Sequence, residues 1–240
     1  MKFLIAVVAL TLELTVPAQD RPLVVVELFT SEGCSSCPPG DRLLSSILNE
    51  GDSEAEIVGL SFHVDYWDYI GWKDPYSDPR FSKRQRKYAR QLISSVYTPQ
   101  MVVNGNQQFV GSSRSDWKKS LNYQKQQSSV KPLKVSSSKL DGINLRVTIE
   151  SENPNGTILH LAVVEKDLSQ QVNRGENRGR KLFHDNVVRV FATQKQRPFN
   201  AFELTLPKDL DIIKSSLIAY TQDETTLEIK SVKKIELSTL

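Results

Sequence analysis

The chain has 240 residues, of which 39% are apolar and 25% are charged, so it can bury a sizeable core and shows no sign of wholesale disorder. Its formal net charge is only +3, and so small an excess of basic residues does not indicate a nucleic-acid partner. The length accommodates two domains of ordinary size.

The N-terminal segment has the pattern of an export signal. Lys2 precedes the apolar run 3–12, and Val16-Pro17-Ala18 supplies small residues before a cleavage expected after Ala18. The run is too short to span a bilayer, and no stable membrane insertion is expected after cleavage. Residues 1–18 are therefore predicted to be a signal peptide, and the mature protein is expected to be periplasmic or secreted, in an oxidising compartment. The alternative is an N-terminal core strand or helix.

Residues 22–125 alternate between strand and helix patterns. In chain order, the predicted elements are a strand over 23–29, a helix over 41–48, a strand over 57–62, a helix over 80–93, a hairpin of 100–103 and 108–110, and a short helix around 117–123. The first three elements form a strand–helix–strand unit, for which parallel strand pairing is expected. Asn104-Gly105 predicts the turn of the hairpin.

The helix over 80–93 carries a basic face without acids. Its cations are Arg80, Lys83, Arg84, Arg86, Lys87 and Arg90. Such a face is typical of solvated surface, here with Asp68, Asp74 and Asp78 as candidate partners. An anionic partner is the alternative.

A linker is predicted at residues 126–132, because a polar stretch there precedes a change of period. In residues 133–240, short segments alternate between apolar and polar side chains. They cover 143–149, 157–165, 187–192, 199–206, 216–221 and 226–237. About seven strands in about a hundred residues are typical of an antiparallel β-sandwich. The predicted fold class is thus α/β followed by a β-sandwich.

Cys34 and Cys37 are the only cysteines, and they form a C-x-x-C motif between a predicted strand and a predicted helix. A redox dithiol is the leading interpretation. A purely structural disulfide is a weaker interpretation, because closing so small a loop stabilises the folded state by only about 2 kcal/mol. A zinc site would need two of the three histidines, none of which has ligand spacing, so no metal site or cofactor is predicted. Copper(I) held by two thiolates stays open.

Within the motif, Cys34 is the expected nucleophile and Cys37 the resolving cysteine. Cys34 lies at a loop-to-helix junction, where a helix N-terminus favours negative charge. Pro38 and Pro39 fit only the first turn of a helix and supply no N–H donors. We therefore expect the pKa of the Cys34 thiol to be lowered, but not by much.

Two segments about 60 residues apart resemble the thioredoxin fold, and the resemblance covers residues 22–125. Residues 26–34 are similar to the strand that delivers a thioredoxin's active-site helix, and residues 97–105 to the segment in which a cis Thr-Pro opens a hairpin. The resemblance implies that Thr98-Pro99 is cis and faces the sulfurs, where its backbone can bind an extended peptide substrate. The alternative is an ordinary proline at the start of a strand.

Glu27 lies near the place where thioredoxins carry a buried acid behind the second cysteine. The resemblance implies that Glu27 can shuttle the proton of that cysteine. The alternative is a glutamate on an edge strand that faces water.

More narrowly, four runs are similar to a family of exported bacterial proteins of unknown function with a thioredoxin-like part. They are residues 27–39, 62–72, 174–177 and 182–189. The similarity covers nearly the whole mature chain. It implies a fold and a location but no substrate.

His63 ends the second predicted strand, where α/β sheets present functional groups. With Trp67 and its aromatic neighbours it can form a wall of the substrate cleft; the alternative is an aromatic cluster around a hydrogen-bonded histidine. The loop 174–177, followed by His184, can pack over the dithiol and restrict access to it. Its alternative is a loop held by its own hydrogen bonds.

The resulting hypothesis is thiol–disulfide exchange with protein or small-molecule thiols and disulfides. Cys34 would attack, Cys37 would resolve, and Pro99 would position the substrate. Two alternatives stay open: a copper(I)-binding module, and a ligand-binding module whose disulfide is not catalytic.

Overall fold

A computed structural model describes residues 21–151 and 155–240. The predicted signal peptide, residues 1–18, lies outside the described residues. Within the described ranges, no helix is both long enough and apolar enough to cross a membrane.

The first part of the described chain alternates between strands and helices. Its elements are β1 (Leu23–Thr30), α1 (Pro38–Glu50), β2 (Glu56–His63), a 3-10 helix (Asp65–Ile70), α2 (Pro79–Gln91), β3 (Gln100–Val103), β4 (Gln107–Val110) and α3 (Arg114–Gln127). Each predicted strand and helix of residues 22–125 is present, with ends that differ by a few residues.

The second part consists mainly of strands. They are β5 (Lys131–Pro132), β6 (Ser137–Asp141), β7 (Asn144–Glu150), β8 (Thr157–Glu165), β9 (Leu168–Gln171), β10 (Lys181–His184), β11 (Val187–Lys195), β12 (Phe199–Thr205), β13 (Ser215–Asp223) and β14 (Ile229–Glu236). Two short 3-10 helices, Ile212–Lys214 and Leu237–Thr239, complete the elements described.

A nine-stranded mixed sheet runs through both parts in the order β4-β3-β1-β2-β11-β8-β13-β14-β5. β1 and β2 are parallel, as predicted, and β3 and β4 form the predicted antiparallel hairpin. A three-stranded sheet, β12-β7-β6, and the β9–β10 hairpin are separate. The α/β class is therefore confirmed at the level of helices on a mixed sheet.

β1 is buried along its whole length, which explains its uninterrupted apolar run. Val25 and Phe29 face a core shared with Tyr88 of α2. Val26 faces the opposite core, together with Leu44 of α1. Helices thus cover both faces of the strand that leads into the C-x-x-C motif.

The large sheet is continuous across the predicted linker at 126–132. β11 lies beside β2, where the Ser61 N–H donates to the Asn186 carbonyl oxygen at 2.8 Å. The Asn186 side-chain amide also donates to the Gly59 carbonyl oxygen at 2.9 Å. The division into domains at 22–125 and 133–240 stays a prediction.

The three-stranded sheet packs on one face of β8 and β13. Their contact is a second apolar core, to which Val147 of β7, Leu204 of β12, Leu161 of β8 and Leu217 of β13 contribute. Side chains therefore alternate between this core and the other face of the sheet.

The predicted basic surface of α2 needs one correction. Arg80 forms the expected ion pair with Asp78, 2.6 Å between Nη2 and Oδ2. Arg84, in contrast, is only 8% exposed and points into the core. Arg84 lies on the apolar side of α2, one turn before Tyr88. Its buried guanidinium needs an acidic partner inside the protein, and Glu27 is that partner.

Candidate functional site

Cys34 and Cys37 form a disulfide, with their Cα atoms 5.4 Å apart. The motif lies where predicted, between the end of β1 and the start of α1. Cys37 is the N-cap residue of α1, and the two prolines that follow it occupy the first turn. Both cysteines are fully buried, so a substrate cannot reach either sulfur without movement of neighbouring groups.

The Thr98-Pro99 segment lies against the disulfide, and its peptide bond is cis, as predicted. The Thr98 carbonyl oxygen lies 3.8 Å from Cys34 Sγ. It also accepts a hydrogen bond from the Ser36 hydroxyl at 3.3 Å. Pro99 contacts α1 so closely that a Cβ added at Gly40 would lie 2.7 Å from the Pro99 Cβ.

Trp67 joins this segment to the loop before the cysteines. Its indole N–H donates to Thr98 Oγ1 at 2.8 Å. A Cβ added at Gly33 would lie 3.0 Å from the Trp67 Cβ, so only glycine fits there without a shift. Thr98, Pro99 and Trp67 are therefore adjacent to the dithiol, and their contacts with a substrate stay predictions.

Residues 174–177, which we term the covering loop, pack against the C-x-x-C segment. The Asn177 side-chain amide donates to the carbonyl oxygens of Glu32, at 2.8 Å, and Cys34, at 2.9 Å. Asn177 is fully buried by this contact. The loop therefore packs against the segment that carries the dithiol, and its restriction of access to the sulfurs stays a prediction.

Glu176 and Gly175 complete this contact. The Glu176 carboxylate accepts a hydrogen bond from the Ser35 N–H at 3.0 Å. Hydrogen bonding with the side chain and the backbone of Ser35 lowers the pKa of Glu176. A Cβ at Gly175 would lie 3.0 Å from Cδ1 of Ile70, so the loop backbone lies directly on the 3-10 helix. The loop is thus held to the site by side chains as well as backbone.

Behind the dithiol lies a cluster of buried ionisable groups, which we term the acid–histidine cluster. Its members are Glu32, Asp41, His63, Asp74 and His184, all at most 5% exposed. Among the described residues, no three histidines, cysteines or acids are arranged to hold a metal ion. The members of the cluster interact with one another through hydrogen bonds and ion pairs.

Asp74 links His63 to the loop after β1. Its Oδ2 lies 2.7 Å from His63 Nδ1 and accepts the Glu32 N–H at 2.8 Å. Burial by itself raises the pKa of Asp74, but the charge and hydrogen bond of His63 outweigh it and lower the pKa. The carboxylate form thus holds the backbone two residues before Cys34.

His184 is the centre of the other half of the cluster. Its Nε2 lies 3.2 Å from Glu32 Oε1, and its Nδ1 lies 3.7 Å from Asp41 Oδ2. The Trp72 indole N–H donates to the second oxygen of Glu32 at 2.8 Å. Burial lowers the pKa of His184, but hydrogen bonding and charge from Asp41 and Glu32 outweigh it and raise the pKa to about 10.

His63 matches the alternative reading of the sequence, a hydrogen-bonded histidine among rings. Its ring lies 5.4 Å from that of Tyr76 and 4.8 Å from that of His184, both edge-on. The side chain is fully buried. It therefore offers no surface to a substrate in this state.

Glu27 is 1% exposed on a central strand, so the water-facing alternative is wrong. Its two oxygens accept hydrogen bonds from Arg84 Nη2 at 2.6 Å and Arg84 Nε at 2.9 Å. Both oxygens of the Glu27 side chain are thus hydrogen-bonded to Arg84 of α2. Its role as a proton shuttle for Cys37 stays a prediction.

Glu32 and Asp41 are the site residues that the sequence analysis missed. Two local signals could have found them. Glu32 is an acid two residues before a cysteine, at the end of an apolar strand. Asp41 follows Cys37 by four residues, a spacing that places both on one face of a helix.

The chain is similar to one protein family and to solved structures. The sequence model of a family described as "Protein of unknown function (DUF1223)" matches residues 25–222. The crystal structure of protein AGR_C_4864 from Agrobacterium tumefaciens is similar with a TM-score of 0.66 and 29% identity, over 91% of this chain and 96% of that chain. HBP35 of Porphyromonas gingivalis is similar with a TM-score of 0.64 and 15% identity, over 91% and 76%, which shows the fold alone. No curated protein matches the chain.

Proposed function

We propose that this chain, which belongs to the DUF1223 family of proteins of unknown function, is an exported thioredoxin-like protein that exchanges thiols and disulfides through Cys34 and Cys37. The observation that carries the proposal is the position of the disulfide. It lies at the N-terminus of α1 with the Thr98 carbonyl oxygen 3.8 Å from Cys34 Sγ. The substrates are protein or small-molecule thiols and disulfides, and the location is the periplasm or the medium.

The finer fold assignment is part of the proposal. In the first part, the strand order β4-β3-β1-β2 with β1 and β2 parallel supports a thioredoxin-like domain. In the second part, the apolar core between the three-stranded sheet and β8 and β13 supports a β-sandwich. Both assignments agree with what the sequence predicts for residues 22–125 and 133–240.

The exchange proceeds through a mixed disulfide. A substrate thiolate attacks Cys34 Sγ, the Cys34–Cys37 bond breaks, and Cys37 leaves as a thiolate that takes up a proton. A second substrate thiolate then attacks the substrate sulfur of the mixed disulfide and releases Cys34. Two electrons have passed from two substrate thiols to the protein. In the reverse direction, Cys34 attacks a substrate disulfide and Cys37 resolves the intermediate.

The experiment that tests the proposal is the reduction potential of the Cys34/Cys37 pair. The mature protein is equilibrated with glutathione buffers, and its redox state is read by thiol alkylation and mass. A value between about −120 and −270 mV matches known exchange catalysts. A value below about −300 mV, or a pair that does not exchange at all, contradicts the proposal.

Trapping of a mixed disulfide gives a second, independent readout. Cys37→Ser keeps the proposed nucleophile and removes the resolving thiol, so it should accumulate a disulfide with a model substrate. Cys34→Ser is the matched control and should accumulate none. Equal trapping by both variants contradicts the assigned roles.

A second candidate function is a ligand-binding module with a permanent disulfide. One observation favours it: both cysteines are fully buried beneath the covering loop. Under this alternative the disulfide resists mild reductant, and Cys34→Ser retains full function. Stoichiometric copper on the purified reduced protein would instead favour the copper(I) alternative.

A further inference from the structure

His184 lies within ion-pair distance of acidic residues on both sides of the C-x-x-C motif. Glu32 precedes Cys34 by two residues, and Asp41 follows Cys37 by four. His184 lies between their carboxylates, 3.2 Å from Glu32 Oε1 and 3.7 Å from Asp41 Oδ2. One side chain of β10 therefore holds both ends of the segment that carries the sulfurs.

The charges of this group do not cancel. Glu32 and Asp41 are carboxylates within a buried site, and in the described part of the chain the ion pairs of both are made with His184 alone. The raised pKa of His184, about 10, makes it an imidazolium at neutral pH. The imidazolium thus faces two acidic side chains, and its removal would leave both without a cationic partner.

Asp41 brings the charge close to the resolving cysteine. Its N–H donates to the Cys37 carbonyl oxygen at 3.1 Å, and side chains at this spacing are neighbours on a helix. Asp41 Oδ1 is buried and accepts no hydrogen bond from a described group. An unpaired carboxylate oxygen beside a cysteine disfavours the thiolate unless a positive charge offsets it.

Further ionisable groups face His184 from the neighbouring elements. Inside the protein these are His63 at the end of β2, with Asp74 behind it, and Tyr76. Toward solvent, a cleft of about 570 Å³ between α1 and the β9–β10 hairpin has His184 in its lining. The charged groups of that cleft are Arg42, Asp167 and Asp185.

We propose that His184 is a positioning residue and counter-charge for the dithiol, which holds the C-x-x-C segment through Glu32 and Asp41 and favours the thiolate of the reduced pair. This inference rests on the proposed exchange function. A group that stabilises the thiolate stabilises the reduced form, and it therefore makes the disulfide a stronger oxidant. The second part of the chain would thus tune the chemistry of the first.

The proposal predicts effects of opposite sign from two isosteric variants. His184→Gln leaves two uncompensated carboxylates, so the thiol pKa should rise by about one unit and the equilibrium should shift roughly tenfold toward the disulfide. Asp41→Asn removes a negative charge, so the thiol pKa should fall and the equilibrium should shift toward the dithiol. A merely structural role would move both variants in the same direction.

The chain offers a matched control in His160. It is a buried histidine that bonds to Thr193 at 2.9 Å and Gln222 at 3.1 Å and makes no described contact with the C-x-x-C segment. His160→Gln should leave the redox equilibrium and the thiol pKa within twofold of the wild type. Glu32→Gln is a second acid variant, and it should shift both quantities in the same direction as Asp41→Asn.

The test uses the full mature chain and two measurements on each protein. Equilibration with glutathione buffers gives the redox equilibrium, and the rate of alkylation against pH gives the thiol pKa. Opposite shifts in His184→Gln and Asp41→Asn support the proposal, and shifts of the same sign or below twofold overturn it. If His184→Gln does not fold, Asp41→Asn and Glu32→Gln decide the question. A shift of both variants toward the dithiol supports the proposal, and a shift toward the disulfide overturns it. A wild-type pair that never exchanges overturns the exchange function itself, an outcome distinct from a failure of His184 alone.

Discussion

Arg84 is the residue whose environment differs most from what its neighbours on α2 suggest. Its guanidinium bonds to both oxygens of Glu27 and to the Tyr88 hydroxyl at 2.9 Å. It also donates to Gln222 of β13 at 3.2 Å. The guanidinium lies 5.6 Å from the ring centroid of Tyr220, within the range of a cation–π contact. One cation therefore joins α2 to two strands of the sheet.

Removal of Arg84 should destabilise the protein strongly. Arg84→Met leaves the Glu27 carboxylate buried without a partner, and we expect a loss of about 3–5 kcal/mol in the free energy of unfolding, measured by urea denaturation. Arg84→Met combined with Glu27→Gln should recover much of the loss, because no charge is then left unpaired. Arg86→Met, at an exposed position of the same helix, is the control and should stay within about 0.5 kcal/mol. Equal losses in the Arg84 and Arg86 variants would contradict this account.

Because of His184, the free energy of unfolding should decrease as the pH rises above neutrality. Its pKa is about 10 in the folded protein against an ordinary value of 6.5, so the folded state binds more protons between these values. The stabilisation is fully present below about pH 6.5 and is lost as the pH rises through about 10. The free energy of unfolding should fall by up to about 1.4 kcal/mol per pH unit over this window.

Urea unfolding at several pH values checks this expectation. Other groups titrate in the same range, so the informative quantity is the difference between the wild type and His184→Gln. That difference should shrink as the pH rises toward 10. A difference that is constant from pH 7 to pH 10 would show that His184 is neutral in the folded protein.

At the scale of elements, we expect the covering loop to limit access to the sulfurs. The β9–β10 hairpin carries the loop, and Asn177 is its main attachment to the C-x-x-C segment. Both bonds of Asn177 end on backbone carbonyl oxygens, so a sequence change in the partner segment would not remove them. Opening of the site requires that these bonds break.

Asn177→Ala should therefore speed the reduction of the disulfide. Two buried hydrogen bonds contribute about 1 kcal/mol each, so their loss should raise the population of the open site, and with it the rate of reduction by dithiothreitol, roughly thirtyfold. Asn173→Ala changes an exposed asparagine of the same connection and should have the wild-type rate. A folded Asn177→Ala protein with an unchanged rate would mean that the loop does not limit access.

For the whole molecule, the two parts of the chain share one sheet and one apolar core. β11 covers the edge of β2, and Phe191 of β11 packs edge-on against Phe62 of β2, with centroids 5.4 Å apart. The same ring lies 6.0 Å from that of Phe81 on α2. Separation of the parts would expose these aromatic surfaces and the unpaired edge of β2.

A fragment of residues 21–128 tests the predicted domain boundary. We expect it to lack a cooperative unfolding transition and to aggregate, because it loses β11 and the aromatic contacts of Phe191. Near-ultraviolet circular dichroism measures the tertiary structure of the fragment, and urea titration measures the cooperativity of its unfolding. The full mature chain is the control. A fragment that unfolds cooperatively would instead support the predicted boundary at 126–132 as a true domain boundary.

Much of the first part could be predicted because its signals are local. The apolar run of β1, the Asn104-Gly105 turn and the prolines after Cys37 each act through near neighbours in the chain, and the structure has the corresponding elements. β9 and β10 are not predicted, because each strand has only four residues, too few to establish a period in the sequence. Residues 157–165 were predicted with the observed bounds, since β8 is long and buried.

The sequence by itself determined the candidate site residues: a single pair of cysteines, and a Thr-Pro segment predicted to lie against it. Only the tertiary structure decided what surrounds them. Glu32 meets His184 across 152 residues of chain, and Glu27 meets Arg84 across 57. Such pairs form because burial of a charge is costly without a partner, and the partner is supplied by whichever strand or helix the fold brings alongside. That choice depends on the packing of the whole sheet, which no local pattern encodes.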